Sequence, residues 1–321
     1  MKRMSMTEKF VAPMLCALLV AALLAGCSPA GGPARPEELP TGSPAAQAID
    51  RDRAGNPITL PESIGRVMVF GPSNAEIIVD LGLGDEIVAA DTYSETVAGL
   101  PEGLPLFDMT APDIEAIMAL TPDVVFVTGM VQAGGEDPYK PLSDAGICVI
   151  YIPSSESIAG IKEDIAYVAA VMGNAEGGAG LIAGMEADIA AVKAVGDTIT
   201  EKKKVYFEIS AAPFMYSFGD GVFLNEIIGI VGAENILASQ DSWLSVAEES
   251  VLAADPDVIL TSVNYIDDPV GEIKQRAGWQ SITAVANGAV HYIDADASSR
   301  PNHNIVRALH EIARAVYPDK Y

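Results

Sequence analysis

One helix–strand phrase occurs twice in the 321-residue chain. Glu115-Ala-Ile-Met-Ala-Leu-Thr-Pro-Asp-Val-Val-Phe-Val is matched later by Glu249-Ser-Val-Leu-Ala-Ala-Asp-Pro-Asp-Val-Ile-Leu-Thr. In both copies the glutamate stands seven residues before a Pro-Asp pair. Each copy is typical of a short amphipathic helix, a proline break and then a buried β-strand. A duplicated helix–strand unit predicts two similar α/β lobes.

The N-terminus carries an export pattern in three parts. A basic stretch over residues 2–9 precedes an apolar run over residues 11–24, and Leu24-Ala-Gly-Cys27 follows directly. This order predicts a lipoprotein signal peptide over residues 1–26 with lipid on Cys27; a signal peptide with an incidental cysteine is the alternative. A diacylglyceryl cysteine supplies the two chains that stable anchoring needs. We therefore expect a lipid-anchored protein on the outer face of the cytoplasmic membrane.

Apolar strand patterns alternate with helical patterns along the rest of the chain, which predicts an α/β fold. The expected strands lie at residues 66–70, 87–90, 124–127, 147–152, 205–209, 258–261 and 289–293. Ser73-Asn-Ala-Glu76 predicts a capping box at the start of the first helix. A helical pattern over Ala175–Val195 would be ~31 Å long at 1.5 Å per residue, enough to join two lobes. An ordinary surface helix would give the same pattern.

The predicted domain organisation follows from these patterns. Residues 28–48 are rich in Pro, Gly, Ala and Ser, which is typical of a flexible spacer. We predict a signal peptide at 1–26, a lipidated N-terminus with its linker at 27–48, an N-terminal lobe at 49–156, a connecting helical segment at 157–200 and a C-terminal lobe at 201–321.

Charge and motif content argue against several classes of function. The formal net charge is −25, which is unsuited to nucleic-acid phosphates and to anionic lipid surfaces. Three scattered histidines, His291, His303 and His310, do not predict a bare metal site. The chain has no Gly-x-Ser-x-Gly elbow, His-Glu-x-x-His helix or P-loop. We therefore expect no enzyme and no catalytic residues, a membrane-tethered enzyme being the alternative class.

Three segments resemble the iron-complex and vitamin B12 binding proteins of ABC importers, namely residues 66–77, 113–124 and 243–258. The motifs stand in the order and at the spacing typical of that family, and the resemblance covers about residues 50–321. It implies two Rossmann-like lobes joined by one long α-helix, with the ligand held in the cleft between them. It also implies a monomer that delivers its ligand to a permease dimer with ATPase subunits, and no cofactor of its own. The implied cargo is a ferric-siderophore-type iron complex, with cobalamin (or another corrinoid) and haem as alternatives.

The resemblance also implies one glutamate per lobe that docks into arginine pockets of the permease. By position these are Glu115 and Glu249, the glutamates of the repeated phrase. Carboxylate–arginine pairs are directional and can be bidentate, so two of them would fix the orientation of both lobes. The alternatives are that both glutamates are merely solvated helix residues, or that Glu248 takes the place of Glu249.

In this fold the cleft residues come from loops at the carboxyl ends of strands. We predict ligand contacts by Tyr93, Met109, Met130, Met215, Tyr216, Trp243, Arg300 and His303. Aromatic rings would wall the cleft, methionines would give it a pliable apolar lining, and Arg300 would meet a ligand's negative charge. His303 or a tyrosine would ligate the iron of a haem. The alternatives are that the rings pack against their own lobe, that the methionines fill the core and that His303 is a polar loop residue.

Overall fold

The computed structural model describes residues 49–129 and 137–321. The predicted signal peptide, the predicted lipid site Cys27 and the spacer through residue 48 lie outside the described residues, and so does Met130. Within the two described ranges, no helix combines the length and the apolar character needed to span a bilayer.

The N-terminal lobe is built on a sheet of five parallel strands. These are β1 Val67–Phe70, β2 Ile87–Asp91, β3 Leu106–Phe107, β4 Val124–Thr128 and β5 Cys148–Ile152, in the spatial order β3-β2-β1-β4-β5. All four residues of the central strand β1, Val-Met-Val-Phe, are buried. A parallel strand that is covered on both faces has no polar side to show, which explains this unbroken apolar run.

The C-terminal lobe contains a second parallel sheet and a small antiparallel ribbon. The sheet is formed by β6 Lys204–Glu208, β8 Glu234–Asn235, β10 Val258–Thr261 and β11 Val290–Tyr292, in the order β11-β10-β6-β8. The ribbon pairs β7 Tyr216–Phe218 with β9 Trp243–Ser245.

Eleven α-helices are present among the described residues. They are α1 Pro72–Ile78, α2 Ile114–Ala119, α3 Lys140–Asp144, α4 Ile158–Val171, α5 Ala175–Gly196, α6 Phe223–Ile230, α7 Glu248–Ala254, α8 Pro269–Gln275, α9 Thr283–Ala286, α10 Ala295–Ser299 and α11 Ile305–Val316. A π-helical turn at Val79–Leu83 follows α1, and 3-10 turns occur at Gly84–Glu86, Thr92–Thr96 and Trp279–Ser281.

The two copies of the repeated phrase occupy equivalent places in the two sheets. They form α2–β4 and α7–β10, and each strand pairs in parallel with the first strand of its own sheet. The aspartate of each Pro-Asp pair accepts a backbone hydrogen bond at the start of that first strand. Asp123 accepts from Arg66 N at 2.9 Å, and Asp257 accepts from Lys204 N at 2.8 Å. The repeat therefore encodes the same strand-start contact in both lobes.

The long helix α5 is in contact with both lobes. It packs against α4 and the Val79–Leu83 turn on one side and against α6 and α11 on the other. Its C-terminal Gly196 lies so close to Ile230 that an added Cβ would stand 2.1 Å from that carbonyl oxygen. The largest apolar core runs from one face of the first sheet through α4 and α5 to one face of the second sheet. Each sheet covers its other face with a smaller core of its own.

The predicted α/β class, with two Rossmann-like lobes joined by one long helix, is confirmed. The predicted capping box is wrong. Gly71 takes the N-cap position with φ of 129°, and Pro72 is already helical, so Ser73 lies inside α1. The side chain of Glu76 is therefore not a capping group and contacts the other lobe, as described below.

A buried ion pair stands beneath the second sheet. Arg276 donates two hydrogen bonds to Glu208, at 2.9 and 3.1 Å, and two more to Glu272, one helical turn earlier. The guanidinium also stacks on the fully buried ring of Trp279, 4.2 Å from its centroid. Burial raises the pKa of Glu208, and the bonds from Arg276 oppose that rise.

We predict that Arg276→Ala lowers the free energy of unfolding by about 3–5 kcal/mol, because it leaves Glu208 buried without its partner. The control is Lys140→Ala, which removes an exposed pair with Asp144 at the same i,i+4 spacing as Arg276 and Glu272 and should cost less than about 1 kcal/mol. Urea unfolding measures both. Equal costs for the two variants would contradict the assignment of the buried pair.

Candidate functional site

The cavity that we identify as the candidate site lies where the strands of the first sheet end. Each of the five strands contributes a residue at or just after its carboxyl end, and the C-terminal lobe closes one side. The cavity has a volume of about 420 Å³ and is lined by Gly71, Pro72, Ser73, Asn74, Tyr93, Met109, Thr110, Thr128, Ile152, Pro153, Ser154, Asp164, Ser299 and Pro301. Its volume falls in the range of small-molecule sites.

One buried carboxylate organises the loops on the β1–β2 side of the cavity. Asp91, at the end of β2, accepts hydrogen bonds from Gly71 N at 2.8 Å, Tyr93 N at 2.8 Å and Ser94 Oγ at 2.6 Å. Gly71 has a positive φ, and an added Cβ would stand 3.3 Å from Thr128 Cβ. Glycine at this position therefore serves both the turn and the close approach of the neighbouring strand.

The described lining contains no lysine, arginine or histidine. Asp164 is its one carboxylate, and that group is buried and already bonded to Arg53 Nε at 2.7 Å and to Ser155 Oγ. Burial raises the pKa of Asp164, and the bonds from Ser155 and Arg53 oppose the rise. Tyr93 is 65% exposed, so its ring is available at the cavity. The arrangement suits a ligand without net charge that offers apolar surface and an aromatic contact.

Two of the residues predicted to bind ligand, Arg300 and His303, contact the opposite lobe. Arg300 donates to Glu76 Oε1 at 2.5 Å and to Thr96 Oγ1 at 2.6 Å, and it is largely buried. The Nε2 atom of His303 lies 2.8 Å from Asp80 Oδ2. Both side chains are thus engaged by acidic or hydroxyl groups of the N-terminal lobe and do not line the cavity, whereas their neighbours Ser299 and Pro301 do.

The other predicted ligand residues fall into separate places. Met109 lines the cavity and is also part of the apolar core beneath it. Met215 is buried in the core of the second lobe beside Arg276. Tyr216 and Trp243 lie in the β7–β9 ribbon, where the ring of Trp243 packs edge-on against Phe218 with centroids 5.9 Å apart. Of these four residues only Met109 lines the cavity, as Tyr93 also does.

The two predicted docking glutamates are both exposed, in the first turns of α2 and α7. Glu248 is in a different environment, because its Oε2 accepts a hydrogen bond from Trp279 Nε1 at 3.2 Å. Of the two adjacent glutamates, Glu249 is therefore the one whose carboxylate is exposed and has no partner among the described residues. This favours Glu249 over Glu248 for contact with a partner.

Several lining residues were absent from the sequence prediction. Pro153 and Ser154 follow β5 directly, so the same rule that selected the other loops would have found them. Asp164 is on α4 and shows no comparable signal, because it reaches the cavity only through the packing of that helix. No cluster of three or more metal-ligating side chains occurs within residues 49–129 and 137–321.

Comparison with known proteins matches the chain to binding proteins each time. The protein-family model described as "Periplasmic binding protein" matches residues 67–297. An ABC transporter substrate-binding lipoprotein of Bacillus subtilis is 28% identical over 95% of this chain and 96% of that protein. A cobalamin-binding protein of Halobacterium salinarum is 28% identical over 85% of this chain and 78% of that protein.

A solved structure shares the fold. It is that of a possible iron-binding, periplasmic solute-binding protein from Staphylococcus epidermidis, with a TM-score of 0.72 and 24% identity over 80% of this chain and 100% of that chain. The similarity extends through both lobes. Since the family model alone spans well over half of the sequence, the chain belongs to the periplasmic binding protein family.

Proposed function

We propose that this chain is the extracytoplasmic substrate-binding lipoprotein of an ABC importer and that its cargo is a bulky metal chelate without net charge, of the corrinoid class. The observation that carries the choice of cargo is the cavity lining, in which apolar groups dominate and the described residues offer no cation. The export pattern ending at Cys27 supports a lipid anchor. The partners would be a permease dimer and its ATPase subunits.

Charge separates the candidate cargoes. Ferric catecholates, haem propionates and oxyanions are anionic, and proteins bind such groups with arginine, lysine or backbone N–H clusters. Here Arg300 is already paired with Glu76, and the chain as a whole carries a net charge of −25, which repels anions. Cyanocobalamin has no net charge, and the relative from Halobacterium salinarum is named for cobalamin binding.

The ferric-siderophore-type complex expected from the sequence is the second candidate, in its uncharged form. A ferric trihydroxamate is neutral and has an apolar outer surface, so the same lining that disfavours catecholates accommodates it. Met109, which lines the cavity, is pliable enough to pack against either chelate.

A ligand panel tests this assignment. We predict that cyanocobalamin binds the protein with a sub-micromolar Kd, and that ferric catecholate, haemin and molybdate bind at least about a hundredfold more weakly, a difference of about 2.7 kcal/mol. Equilibrium dialysis read by absorbance or metal content measures all of them. Tight binding of the ferric trihydroxamate alone would select the second candidate, and tightest binding of an anionic ligand would refute the argument from charge.

Tyr93 provides a second test. We predict that Tyr93→Ala weakens binding of cyanocobalamin about tenfold while Tyr93→Phe retains it, because the exposed ring contributes about 0.5–1.5 kcal/mol in addition to the area it buries. The matched control is Tyr216→Ala, which removes an exposed tyrosine of the ribbon that does not line the cavity. Isothermal titration calorimetry measures the affinities. An equal loss at Tyr216 would place the ligand elsewhere.

Docking gives a third test. We predict that Glu115→Ala with Glu249→Ala abolishes uptake in cells while leaving ligand affinity unchanged. Truncating one partner of a buried carboxylate–arginine pair at an interface costs about 2–5 kcal/mol. Neither glutamate lines the cavity. The control replaces Glu102 and Glu201, exposed glutamates elsewhere in the chain, with alanine. Loss of ligand affinity in the first double variant would show that these residues have another role.

A further inference from the structure

We propose that Glu76 is a positioning residue that sets the width of the ligand cleft by holding the segment Ser299–Asn304 of the C-terminal lobe against α1 of the N-terminal lobe. The carboxylate of Glu76 accepts three hydrogen bonds from that segment. They come from Arg300 Nη1 at 2.5 Å, Asn302 Nδ2 at 2.7 Å and Asn304 Nδ2 at 3.2 Å. We call these four residues the inter-lobe cluster.

Neighbouring contacts reinforce the inter-lobe cluster. Asp80, one turn after Glu76, accepts from Asn304 Nδ2 at 3.3 Å and lies 2.8 Å from His303 Nε2. Thr96 stands between the lobes, where it accepts from Arg300 Nη2 at 2.6 Å and donates to Asp296 Oδ2 at 3.0 Å. All of these contacts join residues more than 190 positions apart in the sequence. They form a continuous polar seam between the lobes.

Residues of the inter-lobe cluster alternate along the chain with residues that line the cavity, and this alternation couples the two. Ser299 and Pro301 line the cavity. Arg300, which stands between them, and Asn302, which follows Pro301, bond to Glu76. On the other side of the seam, Ser73 and Asn74 line the cavity, and Glu76 follows them on α1. Asn302 also donates to Ser73 O at 3.4 Å. A shift of the cluster therefore moves cavity residues of both lobes.

Burial makes the central pair of the cluster sensitive to substitution. The side chains of Arg300 and Glu76 are only 9% and 13% exposed, and Asn302 is fully buried. Removing the carboxylate leaves Arg300 with Asp296 as its acidic partner and leaves the Asn302 amide with only the longer bond to Ser73 O. Because unpaired buried polar groups are costly, the segment is expected to move out toward solvent, which opens the cleft.

This inference rests on the proposed function only for the identity of the cargo; the geometry of the empty cleft can be tested alone. Spin labels on Thr92→Cys and Asn264→Cys, exposed positions just after β2 and β10, report the distance between the two rims of the cleft. The protein is produced without residues 1–26 and with Cys27→Ser and Cys148→Ser, so that only the two introduced cysteines carry spin labels. Dipolar electron spin resonance then gives the distance distribution.

We predict a narrow distribution for the parent protein and a broader one with longer distances for Glu76→Gln and, more strongly, for Glu76→Ala. Affinity for cyanocobalamin falls about tenfold in Glu76→Ala, a loss of about 1.4 kcal/mol. The matched control is Glu95→Gln, an exposed carboxylate of the same lobe, which leaves both measurements unchanged.

The outcomes separate this inference from the proposed function. A lowered melting temperature with an unchanged distance distribution in both Glu76 variants would overturn the positioning role, since it would mean that Glu76 contributes stability alone. Broadened distributions in a protein that binds neither cyanocobalamin nor the ferric trihydroxamate would uphold the role of Glu76 and refute the proposed cargo. If Glu76→Ala does not fold, the isosteric Glu76→Gln variant decides.

Discussion

Parallel strand pairing is the constraint on which the rest of the structure depends. In the first sheet, β1 pairs with β2 on one side and with β4 on the other, and all three strands run in the same direction. Their carboxyl ends must therefore meet at one edge, and the loops that follow them form a common wall. The second sheet repeats this arrangement with the same strand-start aspartate. A single helix, α5, joins the two units along a shared apolar core.

Two arginines beside the cleft are already paired with carboxylates of the protein. Arg53 is bonded to Asp164, and Arg300 is bonded to Glu76. Such pairing avoids the cost of several kcal/mol for an isolated buried ion, and it also withdraws the guanidinium groups from ligand recognition. The acidic protein thus presents an apolar cavity with one exposed tyrosine, Tyr93. This combination is the physical basis for preferring a chelate without net charge.

Local sequence patterns predicted much of the fold. The strand expected at residues 258–261 has those bounds, and the helix expected at Ala175–Val195 ends one residue later, because unbroken apolar runs and one-sided apolar spacing are local properties. The partner of a charged residue is not a local property. Arg300 bonds to Glu76 across 224 positions of the sequence, so no local pattern predicts that pairing or the place of Glu76 in the inter-lobe cluster. The burial of Met215 is likewise not a local property, because it depends on Arg276 and Trp279, which pack in the same part of the second lobe.

The most direct test of this account is a crystal structure of the protein with cyanocobalamin. We expect the corrin between the loops of the first sheet and Ser299–Pro301, with the Tyr93 ring against it and the bonds between Glu76 and Arg300 intact. A ligand bound outside this cleft would contradict the account. So would a complex in which Arg300 has left Glu76 to bind the ligand, because the cleft would then recognise charge after all.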